Sequence, residues 1–212
     1  MTAPSLPSGF DISKHVVATR ADCALTVGFD RQQGYIPRFL VQLHYQTATT
    51  PVEWDVIARM DHNETSATGH DVYREGLHVD INRRSAQEVH LAPRHGPLPA
   101  NRGAVIRGCV DYLDAGADYF VDVFEERHSP GSPPRWTPDG GEQEPTFIRS
   151  PPVDGGMSRN ADADALSHEE LTELLADATG TEPEILDREA RDMEIAPPAK
   201  ADVVDESSDC QS

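Results

Sequence analysis

Residues 38–61 read RFLVQLHYQTATTPVEWDVIARMD. Two runs within them alternate in character with a period of two, the repeat of a strand that buries one face. In Arg38–Thr47, Phe39, Val41, Leu43 and Tyr45 share one side, and Leu40, Gln42, His44 and Gln46 share the other. In Val52–Asp61, Val52, Trp54, Val56, Ala58 and Met60 alternate with Glu53, Asp55, Ile57, Arg59 and Asp61. The turn at Thr47–Pro51 is short, so the two runs form an antiparallel hairpin. A sheet with one apolar and one polar face therefore sets the fold.

The same reading extends in both directions. Upstream, Cys23, Leu25, Val27 and Phe29 alternate with Ala24, Thr26 and Gly28, which predicts a strand or hairpin within Val16–Phe29. Downstream, His62–Gly76 is a polar loop in which Asp71–Arg74 reads as a short strand. Leu77, Val79 and Ile81 then alternate with His78, Asp80 and Asn82, and Val89 and Leu91 with Glu88 and His90. From Asn101 to about Arg127 the period becomes helical: Val105, Ile106, Cys109, Val110, Leu113, Ala117, Phe120 and Phe124 recur at three and four. Asn101 suits an N-cap, and Gly116 is a place to bend or break the helix. The expected fold class is α+β: a four- or five-stranded, mostly antiparallel sheet with one face covered by a C-terminal helix, over residues 14–128 after a loose leader 1–13.

Beyond this domain the composition shifts. Residues 1–150 hold 14 basic and 20 acidic residues, whereas 151–212 hold 4 and 17, so most of the net charge of −19 sits at the C-terminal end. Residues 129–165 read as a Pro/Gly-rich linker, and 196–212 as a disordered acidic tail. Between them, residues 166–195 read as a helical hairpin-like segment, so the expectation is a flexible acidic tail with two short helices. Ser167 and Glu170 form a capping box, and Leu166 and Leu171 occupy the staple positions. Leu171, Leu174, Leu175 and Ala178 make an apolar stripe that stops at Gly180, and a second helix carries Ile185, Leu186 and Met193. Helices this short need the domain or a partner to be stable.

Only Lys14 and Lys200 among the 18 basic residues are lysines. An acidic, lysine-poor chain is the expected composition of a cytoplasmic protein from a high-salt organism, where dense carboxylates keep the surface hydrated. That acidity leaves nucleic-acid partners open but argues against a broad basic binding surface. Cys23, Cys109 and Cys210 are far apart and form no metal-binding spacing, which predicts buried thiols at Cys23 and Cys109 in a reducing compartment. No signal peptide or transmembrane run is read in the sequence, so no membrane partner is expected.

The polar face and its loop carry the candidate chemistry. Arg59–Asp80 holds His62, His70 and His78 with two arginines. Phosphodiester cleavage is one reading. Histidine transfers protons near neutral pH, arginine stabilises developing negative charge, and a carboxylate orients the histidine. His70, His78 and Arg74 supply the first two roles, and Asp61 or Asp80 the third, with no cofactor needed. Alternatively, His70, His78, Asp61 and Asp80 are acceptable zinc or manganese ligands, although their spacing matches no strong signature. The bland reading is a solvated face of an acidic protein.

The order Arg59-Met60-Asp61-His62-Asn63, then Gly69-His70-Asp71, Tyr73, and Leu77-His78-Val79-Asp80, followed by a terminal helix, resembles the small TumE-like toxins of prokaryotic toxin–antitoxin loci. It also resembles uncharacterised halophilic archaeal proteins carrying Asp-His-Asn, Gly-His-Asp and Leu-His-Val-Asp. The resemblance covers about residues 35–125, with Asp61, Asn63, Gly69, His70 and His78 as the matching positions. The tight His-x-His of the toxins is not kept, and they lack an acidic tail. The resemblance implies action on RNA or translation, possible ribonuclease-like hydrolase activity and an antitoxin-like protein partner. The other expectation is a non-enzymatic interaction protein whose C-terminal helices dock on a partner. The oligomeric state is not legible.

Overall fold

A computed structural model of the chain describes residues 3–130 and 164–204. Seven strands form one open sheet in chain order, and every neighbouring pair is antiparallel. They are β1 (Ile12–Val16), β2 (Cys23–Phe29), β3 (Arg38–Thr49), β4 (Val52–Asn63), β5 (Val79–Ile81), β6 (Val89–Ala92) and β7 (Asp202–Val204). The α+β class stands, but the sheet exceeds the expected four or five strands. The two added edges explain why: β1 lacks clean alternation, and β7 has three exposed residues that pair with β6 only after the chain returns from the helices.

The single C-terminal helix expected over Asn101–Arg127 is two helices, α2 (Arg102–Ala115) and α3 (Ala117–Phe124), divided at Gly116. Asn101 caps α2 by accepting a hydrogen bond from the Gly103 amide. Asp71–Arg74 is not a strand: Val72–Glu75 forms one helical turn, α1, because the Asp71 side chain accepts from the Tyr73 amide.

The layout of the C-terminal helices also differs from a flexible tail. Helices α4 (His168–Thr179) and α5 (Pro183–Asp192) pack on α2. Leu171, Leu175, Ala178, Leu186 and Met193 are fully buried. Of the two supports these helices could take, the domain or a partner, the apolar stripe takes the domain. The capping box of α4 is present, and Gly180 ends the helix at φ 68°, a left-handed conformation that glycine adopts without strain. Helix α2 is consequently buried on two sides, by β3 and β4 and by α4 and α5. Gly103 and Gly108 let the helices approach: a Cβ there would press on Leu186 and Met193 respectively. Buried Arg107 is held by Thr172 Oγ1 at 3.0 Å and by Asp111.

Residues 196–204, expected to be disordered, carry a 3-10 turn at Pro198–Lys200 and β7. The leader is not loose either. Pro4 is buried, His15 Nε2 lies 2.8 Å from the Pro4 carbonyl, and the Ser13 hydroxyl donates to the Pro7 carbonyl. Most of the linker 129–165, and Cys210, fall outside the described residues. Cys23 and Cys109 are free, buried thiols.

One irregularity re-phases the central hairpin. Leu43 pairs with Ala58 but His44 pairs with Val56, so Ile57 is an extra residue in β4. A bulge of this kind reverses the alternation beyond it. Ile57, expected on the polar face, is fully buried. Val56 and Trp54 instead stand opposite His44 and Gln46 on the outer side. Among the described residues, no helix is long and apolar enough to cross a membrane.

Candidate functional site

The outer face of the sheet carries a polar row fixed by register. His15, Thr26, Gln42, Arg59, Asp80 and His90 are successive partners from β1 to β6. Arg59 Nε donates to Asp80 Oδ2 at 2.8 Å, and His90 Nδ1 lies 2.6 Å from Asp80 Oδ1. Arg59 also lies 3.5 Å from Glu88.

The loop from Asn63 to Gly76 folds back along β4 and sends Val72 into the core. The Asn63 amide donates to the His70 carbonyl at 2.7 Å, and the Val72 amide donates to His62 Nδ1 at 3.3 Å. His62 is wholly buried on the core side of β4, and burial lowers its pKa. It therefore anchors the loop in its uncharged form. Gly69 permits the close approach, since a Cβ there would land on the Asn63 carbonyl oxygen.

Helix α1 then brings two side chains together. His70 and Glu75 hold the positions just before the Asp71 cap and four residues after it, where apolar side chains would form a staple. Here the pair is polar: His70 Nδ1 lies 2.7 Å from Glu75 Oε2. The chain turns at Gly76, with φ 83°, and its carbonyl lies 3.0 Å from His70 Nε2. His78 follows, its ring centroid 4.6 Å from that of His70. His70, Glu75 and His78 each place one ligand-type atom within 4.8 Å of the others.

The electrostatics follow from partial burial. Burial raises the pKa of Asp61, opposed by the nearby charge of His70. Burial lowers that of His78, and the charge of His70 adds to the effect. Of the five residues expected at the site, His70 and His78 are in ring contact. Asp61 interacts electrostatically with His70 and Asp80, and Asp80 is engaged by Arg59 and His90. Arg74 stands apart. Its side chain is 83 % exposed, it pairs with Asp71 at 3.3 Å, and it lines a neighbouring cavity of about 580 Å³ walled by Tyr35, Asn63, Glu64 and Glu75.

Glu75 lies just beyond Asp71–Arg74, whose sequence suggests a strand, so periodicity does not bring it to the site. The signal was there: Asp71 is a capping residue, and a cap places residues 70 and 75 side by side. Arg59 and His90 were visible on the polar face, but only the register ties both to Asp80.

An open antiparallel meander backed by helices, with an imidazole–carboxylate cluster on its uncovered face, defines the structural class. The chain belongs to the family described as Domain of unknown function (DUF7718), which it matches over residues 13–130, more than half its length. All the cluster residues fall inside that stretch, whereas α4, α5 and β7 lie beyond it. No curated protein and no solved structure matches the chain.

Proposed function

We propose that this is a toxin-like protein that cleaves RNA through the cluster around His70 and His78. The observation that carries the reading is the 4.6 Å approach of the two rings, one of them backed by a carboxylate at 2.7 Å. Cleavage of an RNA phosphodiester by internal attack needs a base to take the proton of the 2′-hydroxyl and an acid to protonate the departing 5′-oxygen. Two adjacent histidines in opposite protonation states supply both. His70, held between Glu75 and the Gly76 carbonyl, takes the role of acid. Burial lowers the pKa of His78, which suits the role of base. Asp61 and Asp80 support the pair from β4 and β5, and Arg59, paired with Asp80, is the arginine of the row available for developing negative charge. The composition favours a high-salt host, so the assay belongs in molar salt.

The test is induced expression in a heterologous host together with incubation of purified protein with RNA. Growth arrest and RNA cleavage are expected from the wild type, and neither from His78→Ala with its fold intact. Wild-type protein that leaves growth and RNA untouched would end the proposal.

A further inference from the structure

His70 places an acceptor at each ring nitrogen: Nε2 lies 3.0 Å from the Gly76 carbonyl oxygen and Nδ1 lies 2.7 Å from Glu75 Oε2. In the tautomer that donates from Nε2 to Gly76, Nδ1 turns its lone pair towards the Glu75 carboxylate, and the two make a pair of donors for a cation. His78 brings a third donor within 4.8 Å. The surroundings favour positive charge, because Asp61 and Asp80 stand on the adjoining strands.

We infer that His70 Nδ1, Glu75 and His78 form a site for one divalent transition-metal ion of the zinc type. Two imidazoles and a carboxylate, with a fourth position left for water, are a donor set such ions accept. The Gly76 carbonyl is the outer partner that fixes the His70 tautomer and turns Nδ1 inward, as outer-shell acceptors do around metal-binding histidines. Around a tetrahedral zinc with bonds of about 2.0–2.1 Å neighbouring donors stand about 3.3 Å apart, so Glu75 must open from its 2.7 Å contact with His70 Nδ1 as His78 closes in. Glu75, half exposed at the end of a one-turn helix, has the freedom to do so. The site uses the cluster of the proposed function, and the two occupancies compete. A lone pair bonded to a metal cannot exchange a proton, so the metal-loaded protein is the form that does not cleave RNA.

The experiment is calorimetric titration of the chelator-treated, full-length protein with zinc, repeated with cobalt and followed by its visible absorption. One ion per chain is expected, with affinity reduced about tenfold or more in Glu75→Gln and His78→Ala and unchanged in His168→Ala. Melting curves confirm that each variant is folded. No binding, or binding that persists undiminished in both site variants, overturns the inference. RNA cleavage by metal-free protein that fails to bind zinc removes the metal site and leaves the proposed function standing. Zinc binding with no cleavage under any metal condition does the reverse.

Discussion

The two ends of the outer sheet face begin from similar materials and finish differently. At the β1–β3 end, His15 meets the Pro4 carbonyl of the leader, and Thr26, Gln42 and His44 stand on the same side of the neighbouring strands. Thr26 is fully buried, His44 is nearly so, and the two are hydrogen-bonded at 2.9 Å. Burial drives the pKa of His44 down to about 4. At the β4–β6 end, the loop leaves His70, Glu75, His78, Asp80 and His90 partly open. A histidine on a sheet face is thus buried or partly open according to what lies over it. Leader residues close on the first strands: Pro4 meets His15, and Phe10 and Pro7 pack so closely over Gly28 that a Cβ there would sit 2.7 Å from the Phe10 ring.

The largest effect is expected at the open end. His78→Ala should lower RNA cleavage by about 10²–10⁴-fold, the usual contribution of a positioned acid or base, with little change in melting temperature. Equal cleavage by the variant and the wild type would erase the functional half of the contrast. At the covered end the expected effect is on stability. His44 binds protons less readily folded than unfolded, where its pKa is near 6.5, so its contribution is complete above pH 6.5 and is lost as pH falls towards 4. Between pH 7.5 and 5 this amounts to roughly 2 kcal/mol. Urea unfolding of the wild type and His44→Gln at both pH values checks it: the variant should lose that share of the slope.

Gly28→Val should cost about 1–3 kcal/mol, as overpacking does, because the new side chain meets Phe10 and Pro7. Faster amide exchange over residues 3–10 is the accompanying signature, and an unchanged leader would show that the cover is not held by this contact. Arg74→Ala should be the smallest perturbation, within about 0.5 kcal/mol in stability, because a solvent-exposed ion pair such as Arg74–Asp71 contributes little. Thermal unfolding of the variant measures it. A tenfold fall in cleavage would move Arg74 into the chemistry and redraw the boundary of the open end.

Much of this contrast is legible locally. The alternation in β2 and β3 identifies the core side, and Phe39, Val41 and Leu43 are buried as their phase requires. The caps at Asn101 and Ser167 form as written. Residues 61, 78 and 80 can be assigned to the polar side from period alone. Other features depend on contacts distant in sequence. The Ile57 bulge appears only when β3 and β4 are paired, and β7 gains its hydrogen bonds from a strand more than a hundred residues earlier. The partners of α4 and α5 are likewise out of local view, although Gly103 and Gly108 mark where those helices approach.

The sequence by itself determined the α+β class, the two-faced sheet, the helix caps and the presence of histidines and carboxylates on the polar side. Those features arise from the periodicity of side chains and from hydrogen bonds between near neighbours. The tertiary structure alone decided that the C-terminal helices complete the core, that the leader closes on the first strands, and that Glu75 joins His70 and His78. Each of those outcomes depends on which surfaces exclude water from one another, and burial is a property of the packed chain rather than of any short stretch within it.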